Sequence, residues 1–194
     1  MGEHGFRRTV RGRVVLRVDD EERVLLAALA RQLVELVTPD ERPTGEEADP
    51  LAAMVGIDPF ARRPDDPALR RLFPDAYADD EEAAAEFRRF TERSLRDVKL
   101  EHARTVLATL DGSGGTVTLS DAEAQAWLGT LNDLRLTLAE RIGLDEDNHE
   151  AFYDLPPEHP AFALFHLYDW FTFLQESLVH ALTGLRSEPL DTTD

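Results

Sequence analysis

Two groups of residues in this chain have the types and spacing to do chemistry. The first is Asn132, Asp133 and Arg135, close together in Trp127-Leu128-Gly129-Thr130-Leu131-Asn132-Asp133-Leu134-Arg135-Leu136. The second is His166, Asp169, Glu176 and His180. An arginine at the edge of an apolar surface can anchor the carboxylate of a ligand or of a partner's C-terminus. It can equally be a boundary residue with its head in water, or half of a structural ion pair. Imidazole with carboxylate can bind a divalent metal. His102 could add a ligand from elsewhere in the chain.

Both groups need helices to position them. Trp127, Leu131, Leu134, Leu138 and Ile142 recur at spacings of four, three, four and four, one face of a helix. On that wheel Arg135 falls at the edge of the stripe and Asp133 points well away from it. An ion-pair partner for Arg135 must then come from another element, and Asp169 is the candidate. Asn132 and Asp133 are poor helix formers in mid-helix, and interhelical hydrogen bonding is the plain reason for them. Ala161 to Leu182 reads as a second helix, apolar over more than half its circumference, and is expected at the centre or in an interface. His166 and Asp169 are three apart, and Glu176 and His180 four apart, so each pair can share a face. The two pairs lie too far apart along one helix to close a single site. A polar seam between helices is the simpler reading of them.

Other templates do not fit. Asp111 to Gly115 lacks the ending of a phosphate loop and follows a helix rather than a strand. There is no H-E-x-x-H and no G-x-S-x-G. The acids from Asp145 to Glu150 lack EF-hand spacing. No catalytic residue, metal or cofactor is assigned.

The chain has 39 acidic and 21 basic residues, a net charge of −18. That field repels phosphate backbones, so nucleic acid is not expected as a partner. A basic protein, a basic peptide or a cation suits it better. With no cysteine, disulfides and thiolate-ligated metals are excluded. No run approaches the roughly 18 to 20 apolar residues of a membrane span. Met1 to Arg13 lacks the apolar core of a signal peptide. A cytoplasmic protein is expected.

The remaining elements follow in order. Phe6 to Val18 reads as a β-hairpin turning at Gly12. Asp19 or Asp20 caps a helix whose apolar face is Val24, Leu25, Ala28, Leu29, Leu33, Leu36 and Val37. Residues 38–78 hold seven of the 11 prolines and read as a wrapped excursion. Short helices are expected there at Pro50 to Val55 and Pro67 to Phe73. A long helix spans Asp79 to Leu110, with Ala83, Ala84, Phe87, Thr91, Leu95, Val98, His102 and Val106 on one face. Thr116 to Leu119 reads as a strand able to join the hairpin, and Ser120 with Glu123 as a capping box. Residues 144–160 read as an acidic loop. The expected fold is mainly α, a helical bundle with a small antiparallel sheet. Residues 1–184 form one domain, followed by an acidic disordered tail at 185–194.

Phe6 to Arg8 with Arg13 to Arg17, Trp127 to Leu136, and Tyr168 to Leu178 together resemble an actinobacterial family of uncharacterised proteins, a domain of unknown function. The resemblance implies no activity and carries over no catalytic residue. Genes of that family often lie beside the ClpS adaptor of the Clp protease, which implies a link to regulated proteolysis. The acidic surface, the proline-rich excursion, the apolar last helix and the absence of a catalytic template lead to the expectation of a non-enzymatic interaction or regulatory protein with a protein partner, a homodimer through exposed apolar helix surface being one form. The alternative is an enzyme or sensor with a site around Arg135, His166 and Asp169.

Overall fold

Trp127 is 1% exposed and sits among all the major elements. In the computed structural model, residues 5–39, 58, 61–77, 79–112 and 114–184 are described. They form strands β1 (Gly5–Arg8), β2 (Val14–Arg17) and β3 (Thr116–Leu119), and helices α1 (Asp20–Val37), α2 (Pro67–Leu72), α3 (Glu81–Leu110), α4 (Asp121–Ile142), α5 (His149–Tyr153) and α6 (Phe162–Thr183). The expected mainly helical bundle with a small antiparallel sheet is what forms.

Helix α4 is the hub, packing against α6, α3, α2, α1 and β3. Its 3.6-residue periodicity buries Trp127, Leu131, Leu134 and Leu138. Both ends are defined chemically. The Ser120 side chain accepts from the Glu123 N–H while Glu123 accepts from the Ser120 N–H. Gly143, at φ +68°, takes the left-handed turn that ends the helix.

The sheet has the order β1-β2-β3, all antiparallel. Phe6 pairs with Leu16, Leu16 with Val117, and Val14 with Leu119. All five are buried on one face. The Phe6 ring meets Trp127 edge-to-face at 5.4 Å. The Phe6 N–H donates to Ser177 Oγ at 3.0 Å, tying β1 to α6. A lone hairpin is marginal in water; a third strand and the bundle stabilise this one.

Three expectations change. In α1 the core face is Leu26, Ala30, Leu33 and Val37, whereas Val24 and Leu25 are exposed. In α3 the buried face carries Ala84, Arg88, Glu92, Leu100, Ala103, Val106 and Leu110. Phe87, Leu95 and Val98, expected inside, are outside. A buried ion network explains the switch. Arg88 pairs with Asp75 and with Glu92 at 2.7 Å, and Arg96 reaches Glu92 at 2.7 Å, the Val37 carbonyl at 2.7 Å and the Phe73 ring at 4.5 Å. Mutual neutralisation lets those charges face inward. Finally, the expected loop 144–160 contains α5, because the His149, Phe152 and Tyr153 rings pack on Phe165. The helix expected at Pro67 to Phe73 is present as α2, with Phe73 at its end. The helix expected at Pro50 to Val55 and the tail at 185–194 lie outside the described residues.

Candidate functional site

Arg135 projects from α4 toward α6, where Tyr168, Thr172, Gln175 and Val179 recur at spacings of four, three and four. That spacing sets a mostly polar stripe along an otherwise apolar helix. Arg135 Nε donates to Thr172 Oγ1 at 2.9 Å, one terminal nitrogen to Gln175 Oε1 at 2.8 Å, and the other to Tyr168 OH at 3.1 Å. The guanidinium also lies over the Tyr168 ring, 5.1 Å from its centroid. Thr172 is itself held by donating to the Tyr168 carbonyl at 2.9 Å. None of these partners carries a charge. Asp169, the expected partner, instead accepts from Tyr153 OH at 3.3 Å.

Beside Arg135 opens a groove of about 470 Å³, lined by Arg135, Thr172, Gln175, Glu176, Val179 and His180. Among the described residues no carboxylate forms an ion pair with Arg135.

The other candidate residues separate. Asp133 is 4% exposed and accepts from Lys99 Nζ at 2.6 Å. Burial pushes its carboxyl up from the ordinary carboxylate value, although Lys99, His102 and the Asn132 side chain all oppose the shift. Asp133 thus belongs to the seam between α3 and α4, with the Asn132 side chain hydrogen-bonded to it. His166 is exposed, its ring edge-to-face with Phe162 at 4.3 Å. Asp169 belongs with α5; burial and the neighbouring Asp169 charge push the Tyr153 hydroxyl up. The groove therefore gathers Arg135 with Glu176 and His180, without Asn132, Asp133, His166 or Asp169. Among the described residues no cluster of three or more histidine or acidic side chains is arranged to hold a metal ion. Thr172, Gln175 and Val179 are the groove residues that sequence reasoning missed. Their spacing from Tyr168 was the available signal.

A second surface stands out on α3. Phe87, Phe90, Leu95 and Val98 are 44%, 54%, 45% and 48% exposed. At 100° per residue they share one side of the helix, and the Tyr77 ring meets Phe87 edge-to-face at 6.1 Å.

The sequence model of the family described as Domain of unknown function (DUF2017) matches residues 3–182. The chain belongs to this family. DUF2017 relatives in Mycobacterium bovis and Mycobacterium tuberculosis are each named oxidative stress regulator AosR. Each is 36% identical over 179 residues, covering 85% of this chain and 80% of the relative. The actinobacterial family expected from the sequence is thereby confirmed, and these relatives carry the name of a regulator, in keeping with the expected regulatory protein. No solved structure matches the chain significantly. No described helix of this DUF2017 chain is long and apolar enough to cross a membrane.

Proposed function

We propose that this chain is a non-enzymatic regulator that works by docking a protein partner on the α3 stripe. The observation that carries this is the outward placement of Phe87, Phe90, Leu95 and Val98, apolar area that the fold leaves out of its own core. Apolar side chains repeating along one side of a helix fit the apolar face of another helix. At −18 the chain attracts a net-basic partner and repels a second copy of itself. The occupant is therefore an amphipathic helix of a net-basic protein.

The named mycobacterial relatives support a role in the response to oxidants. This chain holds no cysteine, so thiol oxidation cannot be its input step. The oxidant signal reaches it through the partner. The link to regulated proteolysis rests on the resemblance alone, and identifying the partner decides it. A site built on Arg135, His166 and Asp169 together is disfavoured, because the groove at Arg135 leaves the other two outside.

The test is complementation of a deletion strain exposed to peroxide, read as the transcript profile, with light scattering and thermal melting of the purified proteins. Wild-type protein restores the profile and is monomeric. The Phe90→Glu/Val98→Glu variant melts like wild type and fails to restore it. Full complementation by that variant overturns the docking face. A deletion strain indistinguishable from its parent overturns the regulatory reading. A dimer of the purified chain that the variant dissolves replaces the basic partner with a second copy.

A further inference from the structure

Arg135 is a cation held by neutral groups. A guanidinium has five N–H donors; Thr172, Gln175 and Tyr168 take three of them. One N–H on each terminal nitrogen is left uncommitted, a number suited to the two oxygens of one carboxylate. Half-buried charges are ordinarily paired, and this chain carries 39 carboxylate side chains that could have done so. Among the described residues none does. The three hydrogen bonds and the Tyr168 ring instead fix the guanidinium plane, removing the entropy that a free arginine side chain would lose on binding. The fixed cation lines an open groove rather than a sealed core.

The geometry points to a carboxylate-binding site: the groove at Arg135 takes one carboxylate of a net-basic peptide segment, with a basic group of that segment against Glu176. Two charges select this ligand. Arg135 selects the carboxylate at short range. The −18 field and Glu176 in the groove wall repel a free small anion, so the carboxylate has to arrive on a positively charged carrier. Val179, 39% exposed in the same wall, offers the segment an apolar contact. This inference stands on α4 and α6 and is independent of the α3 stripe.

The probe is a degenerate pool of lysine-containing hexapeptides with free C-terminal carboxylates, compared with the same pool amidated at the C-terminus. Binding is followed at low ionic strength by the NMR signals of the Arg135 Nε–H and the Gln175 side-chain amide. The acid pool binds about tenfold more tightly or better, the expected effect of one charge-assisted contact. Arg135→Gln abolishes the preference. Gln175→Glu is the sharper variant. It keeps an acceptor on Arg135 and adds a carboxylate in place, so it melts at or above the wild-type temperature yet loses the preference. Equal shifts from both pools, or no shift from either, overturn the site. So does a Gln175→Glu protein that still prefers the acid pool, because Arg135 would then be purely structural. Succinate binding as tightly as the acid pool overturns the basic-peptide assignment.

Discussion

His102 lies directly over Gly129: a Cβ added to Gly129 would stand 2.5 Å from His102 Nδ1. That contact lets α3 and α4 approach closely in mid-helix. It also explains a glycine that costs α4 up to about 1 kcal/mol relative to alanine by intrinsic preference.

Gly129→Ala is therefore expected to destabilise the protein by about 1–3 kcal/mol, the usual range for overpacking, despite the gain in helix propensity. In a His102→Ala background the same substitution becomes neutral or stabilising. Urea unfolding of the four proteins of this cycle measures the coupling. Additive single-substitution effects would mean that the imidazole moves aside freely.

Asp133 gives stability an unusual pH slope. Burial raises its folded pKa above the ordinary carboxylate value. Between the unfolded and folded pKa the folded chain holds more proton than the unfolded chain. This contribution to stability therefore falls as pH rises through that window and grows on acidification into it. Asp133→Asn keeps an oxygen for Lys99 and removes the slope. The difference in unfolding midpoint between wild type and Asp133→Asn is expected to change across the moderately acidic range. A constant difference would show that Asp133 titrates alike in both states. Lys99→Met leaves the carboxylate buried and unpaired. It should cost about 3 kcal/mol, the low end for a broken buried pair, because the Lys99 side chain is 19% exposed.

Glu123 acts in the opposite sense. The Ser120 N–H and hydroxyl hold its carboxyl below the ordinary value. Its contribution is present above the unfolded pKa and lost as pH falls through the folded one. Ser120→Ala should cost about 1 kcal/mol near neutrality. The penalty of Glu123→Gln should shrink on strong acidification, where wild type has lost the same charge. Melting curves down to strongly acidic pH decide; a penalty independent of pH would mean that the capping charge does nothing.

The sequence was most legible where structure is local. The capping box at Ser120 and Glu123 and the apolar stripe of α4 were written in short-range spacing and form as read, and of the two caps open for α1, Asp19 or Asp20, it is Asp19 that forms. Faces were less legible where apolar residues exceed what one core can take. Helix α3 offers Phe87, Leu95 and Val98 on one side and Leu100, Ala103 and Leu110 on the other. Asp75 and Glu92 decide between them by drawing Arg88 inward, with Arg96 on the other oxygen of Glu92, and that network crosses elements. The site was half legible. Arg135 was visible as a charge at an apolar edge. Its neutral partners were not, because Tyr168, Thr172 and Gln175 read as ordinary helix residues until α6 is placed against α4.

The same network yields the last prediction. Arg88 is 6% exposed and joins Asp75, Glu92 and the Phe73 carbonyl, so it fastens the end of α2 to α3. Its own ionisation is never in question: although burial opposes the charge, Glu92 and Asp75 push its pKa up. Arg88→Met keeps most of the volume but removes the cation between two carboxylates. Arg96 still neutralises Glu92 from its other oxygen, at 2.7 Å. Asp75 keeps Arg63, whose side chain is 67% exposed and contributes little. The loss should therefore be about 3 kcal/mol rather than the upper limit for a broken buried network. Adding Asp75→Asn should recover part of it, since Asp75 is the carboxylate left with only the exposed Arg63, whereas Glu92 keeps Arg96. Chemical denaturation of the single and double variants measures both steps. If Arg88→Met is neutral, the ion network is not what turns Phe87 and Leu95 outward, and the exposed stripe of α3 needs another cause.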